Sequence, residues 1–492
     1  MPPDITLVHA LFLSKDPVEQ KLMTPYFPLG LMYLGSVLRA RGYQVEMFDC
    51  AFRQDFDEFE AYMKRVRPPV VGITALITVR RNALILAEIA HRYGAKVIVG
   101  GPDPTGIPER YLLYRGADGE FPVDAVVYDE GEITVQELAD YLFARGDHAR
   151  DLRDIAGLRL RGEDGQILAT APRPLIQDLD AIPFPARDLV DFEPYRENWR
   201  KAHGYWSLSI INTRGCPYAC SWCQKSVFGR TYRSRSAANS AEELKQIKET
   251  YAPDQMRVVD DITGVKRGWV SAWRDEIVAR DAAISFECLT RVNLVTEEML
   301  GALVEAGCRK VYLGAESGSQ KVLDAMNKGA KVSQIYRAAE ICKKLGVETY
   351  FFMMVGYPGE EWEDLLLSVK LLRETRPDTF STTIAYPLPG TKFYEEVRDR
   401  LMFDGEWNLD WDYTAENKLL FQRGRYNTTF YRWVTRWFHK EWEDARLRAG
   451  ASASLRERLE VLTGLWLTRA MVRALGRLPG AQMIRFQPAE GR

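Results

Sequence analysis

Apolar residues arrive along most of this chain in short continuous runs, separated by stretches in which they recur every three or four positions. Runs at 5–13, 44–48, 70–74, 96–101 and 125–128 have strand length, and the segments at 29–41, 57–66 and 82–93 carry helical spacing. Strands apolar on both faces, with helices between them, predict a parallel sheet covered on both sides. Five such units over residues 1–150 predict a flavodoxin-like (Rossmann-like) domain, whose ligands bind beyond the carboxyl ends of the strands. Those ends fall at Asp49, at 74–77, at Gly100-Gly101 and at Gly131-Glu132. Gly100-Gly101 lets a ligand approach the backbone closely, although a lone Gly-Gly also serves as a tight turn. No G-x-G-x-x-G follows the first strand, so the dinucleotide fingerprint is missing.

The pattern then changes. Residues 151–204 predict a hairpin turning at Asp164-Gly165, followed by a proline-rich connection from Pro172 to Arg187. Proline fixes the local backbone, so that connection reads as a stiff linker. A second alternating series fills 205–400, with strands expected at 208–212, 256–260, 285–290, 310–314, 348–355 and 379–385. Six such units predict a partial (β/α)6 barrel of TIM type with its site at the strand carboxyl ends. Residues 401–492 are aromatic-rich and mainly helical, with Trp407, Trp411, Tyr413, Phe421, Tyr426, Phe430, Tyr431, Trp433, Trp437 and Trp442 close together. Leu455, Leu459, Leu462 and Trp466 follow at helical spacing, with Arg456, Arg458, Arg469 and Arg473 off that stripe. The expectation is a stripe docked onto its own protein, with a membrane surface as the other reading.

Composition narrows the class. Across 492 residues, Lys plus Arg (66) nearly balance Asp plus Glu (68), so no global charge argues for nucleic acid. No run reaches the ~18 apolar residues of a membrane span. Met1 to Asp4 lack the basic and apolar regions of a secretory signal, and a cytoplasmic location is expected. Seven cysteines, three of them within Cys216–Cys223, argue against a disulfide framework and for a reducing compartment. The other four, Cys50, Cys288, Cys308 and Cys342, read as small buried hydrophobes.

Those three thiols are the strongest chemical signal. Cys216, Cys220 and Cys223 stand at C-x3-C-x2-C spacing in a loop after the apolar run 208–211. Three soft ligands occupy three corners of a metal centre. A closed structural zinc site would lack a ligand, whereas a cubane iron–sulfur cluster would keep one iron open.

With Trp222 before the last cysteine, the loop resembles the signature of the radical S-adenosylmethionine (SAM) superfamily. The preceding flavodoxin-like domain, the Ile182-Pro183-Phe184-Pro185-Ala186-Arg187 linker, Gly314 to Ser319, Gly356 to Glu360 and Tyr386 to Thr391 resemble its cobalamin-binding branch. The pattern is also similar to the anaerobic magnesium-protoporphyrin monomethyl ester cyclase and radical SAM methyltransferase group. The resemblance implies that Cys216, Cys220 and Cys223 ligate a [4Fe-4S] cluster whose fourth iron takes SAM. An electron from the cluster then cleaves SAM to methionine and a 5′-deoxyadenosyl radical. It further implies SAM contacts at Trp222, Asp260, Asp261, Arg291, Glu316 and Gly356, and cobalamin near Asp49, Gly100, Gly101, Gly131 and Glu132. The expected reaction is methylation or oxidative cyclisation of a small-molecule biosynthetic intermediate, such as a tetrapyrrole or isoprenoid. A flavodoxin or ferredoxin is the expected electron donor. The alternatives are a cobalamin-independent enzyme whose first domain caps the substrate, and a non-catalytic iron–sulfur or corrinoid sensor. The second predicted strand ends Asp49-Cys50-Ala51-Phe52-Arg53, without the D-x-H-x-x-G of many corrinoid domains, so no protein imidazole is expected on cobalt.

Overall fold

The computed structural model describes residues 2–145, 151–225, 227–401, 421 and 426–477. Trp407, Trp411 and Tyr413 of the aromatic region lie outside them.

Five strands, β1 (Ile5–His9), β2 (Val45–Asp49), β3 (Val70–Thr74), β4 (Lys96–Gly100) and β5 (Ala125–Val127), form a parallel sheet in the order β2-β1-β3-β4-β5. This is the doubly wound arrangement expected of alternating buried strands and helices. The hairpin β6 (Leu158–Arg161) and β7 (Ile167–Ala169) is not a free-standing part of the connection. It pairs antiparallel with β5 and carries the sheet to seven strands, covering what would be an open edge.

The second sheet is six-stranded and wholly parallel: β8 (Ser207–Ile210), β11 (Gln255–Val258), β12 (Phe286–Thr290), β13 (Cys308–Glu316), β14 (Glu348–Val355) and β15 (Thr379–Ile384). Its strands lie in chain order, the topology of a partial barrel. Between β8 and β11 a short antiparallel ribbon, β9 (Thr213–Arg214) with β10 (Arg233–Ser234), closes the base of the cysteine loop.

The proline-rich connection ends in a helix, Glu193–His203, that no sequence pattern announced. It joins the two sheets physically. Tyr195 and Trp199 are buried; the Tyr195 hydroxyl donates to Asp49 at 2.7 Å, and the Trp199 indole donates to the Pro25 carbonyl at 3.3 Å. Phe192, beside it, packs on Phe27 of the first domain and on Trp206 and Tyr251 of the second. One apolar core therefore runs through both domains.

At the carboxyl-terminal end, the helix Thr428–Arg448 lies against the helix Trp362–Thr375 and the edge strand β15, and the helix Leu455–Arg477 packs on it. Glu441, 2% exposed, pins all three helices. It accepts from Arg373 at 2.5 Å, from the Trp437 indole at 2.6 Å and from Arg469 at 2.7 and 2.9 Å. The expected self-docking stripe is overturned. Leu455, Leu459, Leu462 and Trp466 are 75, 54, 50 and 73% exposed, and the helix docks instead through Val461, Leu465, Thr468 and Val472. Both faces of this helix are apolar, and spacing alone does not say which one meets the protein.

Candidate active site

The cysteine loop leaves β9 at Gly215, whose φ of +81° suits glycine; a Cβ there would collide with the Thr231 and Phe228 carbonyls. Asp260 and Asp261, expected among the SAM contacts, accept from the backbone of the loop and of the residues before it. Asp260 accepts from the N–H of Asn212 and Thr213 at 2.6 and 3.0 Å, and Asp261 accepts from the Gly215 N–H at 2.9 Å. Burial pushes the Asp260 carboxyl up to about 7. Cys216, Cys220 and Cys223 are all unbridged thiols. Cys223 reaches the surface, but the protein packed around it disfavours the thiolate; Cys220 and Cys216 add to this against Lys225, and the thiol stands at about 11. Among the described residues, no three His, Cys, Asp or Glu side chains converge as ligands of a metal ion. Three unbridged cysteines on one loop are the donor type that holds an iron–sulfur cluster.

Arg291, just past β12, comes to this loop. Its guanidinium lies 3.7 Å from the Tyr218 ring, donates to the Cys220 sulfur at 3.3 Å and to Asn293 at 3.0 Å, and bonds the Lys328 carbonyl. Glu316 ends β13 after a register shift, with φ +62° in the left-handed region that non-glycine residues seldom adopt. Its buried carboxylate meets Lys328 Nζ at 2.9 Å, and that ammonium sits 5.2 Å from the Trp222 ring. Lys328 therefore touches Arg291, Glu316 and Trp222 together, a role no motif announced. Gly356 has φ +78°, and its N–H donates to Glu360 at 2.6 Å, so that donor is already engaged.

The carboxyl end of the first sheet opens into a cavity of about 330 Å³. It runs between the strand face bearing Leu7, Gly72 and Ile98 and the helices Leu29–Ala40 and Glu132–Leu142, and it is mainly apolar. Gly100, Gly101 and Gly131 line it, as do Ile211, Arg214 and Phe228 of the second domain. At Gly101, φ is +106° and a Cβ would approach the Ala75 carbonyl to 2.9 Å; at Gly30, also on the wall, a Cβ would meet nothing within 4 Å. A long, largely apolar part of a ligand fits this slot. Asp49 does not line it. Burial alone would raise its carboxyl, but His9 at 2.9 Å, the Ala51 N–H and the Tyr195 hydroxyl hold it below its usual value.

Glu132 is at the cavity but committed elsewhere. With Glu130 it meets Arg214, which precedes the cysteine loop: Arg214 reaches Glu130 at 3.0 Å and Glu132 at 2.5 Å. Arg233, closing the loop's ribbon, reaches Glu130 at 2.7 Å. These four side chains are between 3 and 8% exposed. The end of one sheet is thereby clamped to the loop of the other. Two glutamates flanking a glycine and two ribbon arginines look ordinary in sequence; only the fold makes them one cluster.

A two-domain α/β protein with a three-thiol loop facing a ligand-binding sheet end is the class that fold and site define. Residues 210–372 match the model of the radical SAM superfamily, and residues 19–139 match the B12 binding domain. An uncharacterised methyltransferase of Pyrococcus horikoshii is 33% identical over 400 residues, covering 80% of this chain and 83% of that protein. An anaerobic magnesium-protoporphyrin IX monomethyl ester cyclase of Rubrivivax gelatinosus is 28% identical over 391 residues, covering 77% and 68%. Among solved structures, the cobalamin-dependent SAM radical enzyme OxsB, with aqua-cobalamin and SAM bound, shares the fold with a TM-score of 0.72 at 16% identity, covering 96% of this chain and 72% of that one. The radical SAM methyltransferase TsrM of Kitasatospora setae gives 0.68 at 20% identity, covering 81% and 78%. The chain belongs to the radical SAM superfamily, in the branch that carries a B12-binding domain. It is an enzyme of the cobalamin-dependent methyltransferase and cyclase type, using a [4Fe-4S] cluster, SAM and cobalamin.

Proposed function

We propose that the enzyme transfers a methyl group to a carbon of a small-molecule biosynthetic intermediate, with Cys216, Cys220 and Cys223 holding the cluster. The observation that carries this reading is the clamp through Arg214, which fixes the glycine-lined cavity of the B12-binding domain directly against the cysteine loop. When bound, the cluster and SAM supply radical chemistry and the corrinoid supplies methyl transfer. The chain's own residues do the rest. Arg291 donates an N–H to the Cys220 sulfur, where a cluster-bound sulfur would accept it. Lys328 holds the buried Glu316 carboxylate at the strand end. Glu360 holds the Gly356 turn. The apolar slot would hold the corrinoid's nucleotide arm, with Gly100, Gly101 and Gly131 leaving room at its mouth.

A ring-closing oxidation is the second reading, favoured by the similarity to the anaerobic cyclase. A tetrapyrrole-like intermediate is the substrate class both readings share, given the cyclase and a bacteriochlorophyllide d methyltransferase of Chlorobaculum tepidum among the relatives. A small flavodoxin or ferredoxin is the electron donor we infer. Anaerobic reconstitution with iron, sulfide and hydroxocobalamin, then SAM and reductant, tests the proposal. Retained corrinoid and formation of S-adenosylhomocysteine are expected, with Cys220→Ala losing the cluster's absorbance. Cleavage of SAM to 5′-deoxyadenosine with no retained corrinoid would reject the methyl-transfer reading.

A further inference from the structure

The outward face of the helix Leu455–Arg477 has no part in the site. Leu455, Leu459, Leu462 and Trp466 form one line along it, and Leu467 beside them is 47% exposed. On a helix turning about 100° per residue, Arg473 continues the line two turns past Trp466, and Arg477 follows one turn later. Arg473 thus lies on the stripe and not off it. Arg458, at the edge of the same face, is exposed as they are. The helix has two acidic residues, and neither lies on this face: Glu457 projects to the opposite side, and Glu460 turns aside to pair with Arg456 at 2.9 Å. The surface is therefore apolar along its middle, with Arg458 on one flank, Arg473 and Arg477 at its far end, and the Arg456–Glu460 ion pair on the flank beside Leu467.

That charge pattern chooses between occupants. A second copy packed antiparallel sets Arg473 against Leu455 and Arg458 of its mate; packed parallel, it sets Arg473 against Arg473. Both arrangements meet like charges with no carboxylate between them. A surface of anionic headgroups complements the arginines and admits the leucines and the indole, the distribution of an interfacial helix. No helix among the described residues is long and apolar enough to cross a membrane, so the contact would be peripheral.

We propose that this face seats the protein on an anionic lipid surface. The geometry supports shallow insertion: the opposite face is held by Val461, Leu465 and Val472, and by Arg469 on Glu441, so the helix can present its leucines without leaving the protein.

Flotation of the full-length protein with vesicles tests it. Roughly tenfold stronger binding is expected to phosphatidylcholine vesicles with about 30% phosphatidylglycerol than to phosphatidylcholine alone, weakening as salt is raised. The double variant Leu459→Ser/Trp466→Ser should lose that binding while its helix content by circular dichroism is unchanged. Arg473→Glu/Arg477→Glu should lose only the preference for anionic lipid. Absence of flotation, or flotation equal in the leucine–tryptophan variant, would overturn the proposal. So would a dimer in sedimentation velocity that Trp466→Ser dissolves, which would give the face to a second copy.

Discussion

Arg291 makes its contacts where electron density matters, donating to the sulfur of Cys220 at 3.3 Å. Hydrogen bonds to thiolate sulfurs stabilise the reduced, more negative form of a cluster. Arg291→Met should therefore lower the midpoint potential of the reconstituted cluster, by ~60 mV for each tenfold change in redox equilibrium. A potentiometric titration followed by electron paramagnetic resonance reads this directly, and an unchanged midpoint would assign Arg291 to packing on Tyr218 alone. Glu360 makes a different prediction. Burial lifts its carboxyl from 4.5 to about 8, so the folded chain keeps a proton that the unfolded chain releases. Between about pH 4.5 and 8 the unfolded state gains as pH rises, and this group's contribution to stability falls by up to ~1.4 kcal/mol per unit. Glu360→Gln should flatten that part of the profile, measured as urea midpoints from about pH 5 to 8.5. A slope identical to the wild type would place the proton elsewhere.

At the scale of elements, the clamp between the first sheet and the cysteine loop is a buried charge cluster. Removing one member strands the others. Arg214→Met leaves Glu132 and part of Glu130 without their partner and should cost ~3–5 kcal/mol. Adding Glu132→Leu should recover part of that loss, and the coupling in a double-mutant cycle measures the pair. Corrinoid retention should fall in the single variant, since Arg214 also lines the cavity. Most strands of both sheets were legible as short runs rich in apolar residues and bounded by turn residues, although β15 is largely Thr and Ser. The helix Glu193–His203 was not, since only Tyr195 and Trp199 of its eleven residues are buried and most of the rest is charged or polar. The stripe at Leu455 was visible but misassigned, because Val461, Leu465 and Val472 offer a second apolar face at the same period. Within the site, Cys216, Cys220 and Cys223 stood out by their spacing, and Arg291 and Glu316 only through the family resemblance that spacing opened. Lys328 and Glu130 did not. They act through partners distant in the chain, and nothing local distinguishes them from ordinary surface charges.

At the scale of the molecule, Trp199 is buried between the two sheets, and it should be costly to remove. Trp199→Ala is expected to lose ~3–5 kcal/mol and to separate one cooperative unfolding transition into two, seen as divergent midpoints by near- and far-ultraviolet circular dichroism. Coincident midpoints in the variant would show that Phe192, Tyr195 and the clamp at Arg214 suffice to couple the halves. The shared core also bears on how the chain can be recombined. The proline-rich connection looks like a natural seam, yet Phe192, Tyr195, Trp199 and Trp206 stitch both sides together immediately after it. A chimera joining the first domain of this enzyme to the barrel of a relative would inherit half of a matched set of aromatic contacts. Grafting that respects the fold has to move residues 187–206 together with Phe27, Asp49 and Tyr251, the groups they fit. Substrate range is then more readily altered within one barrel than by exchange of whole modules.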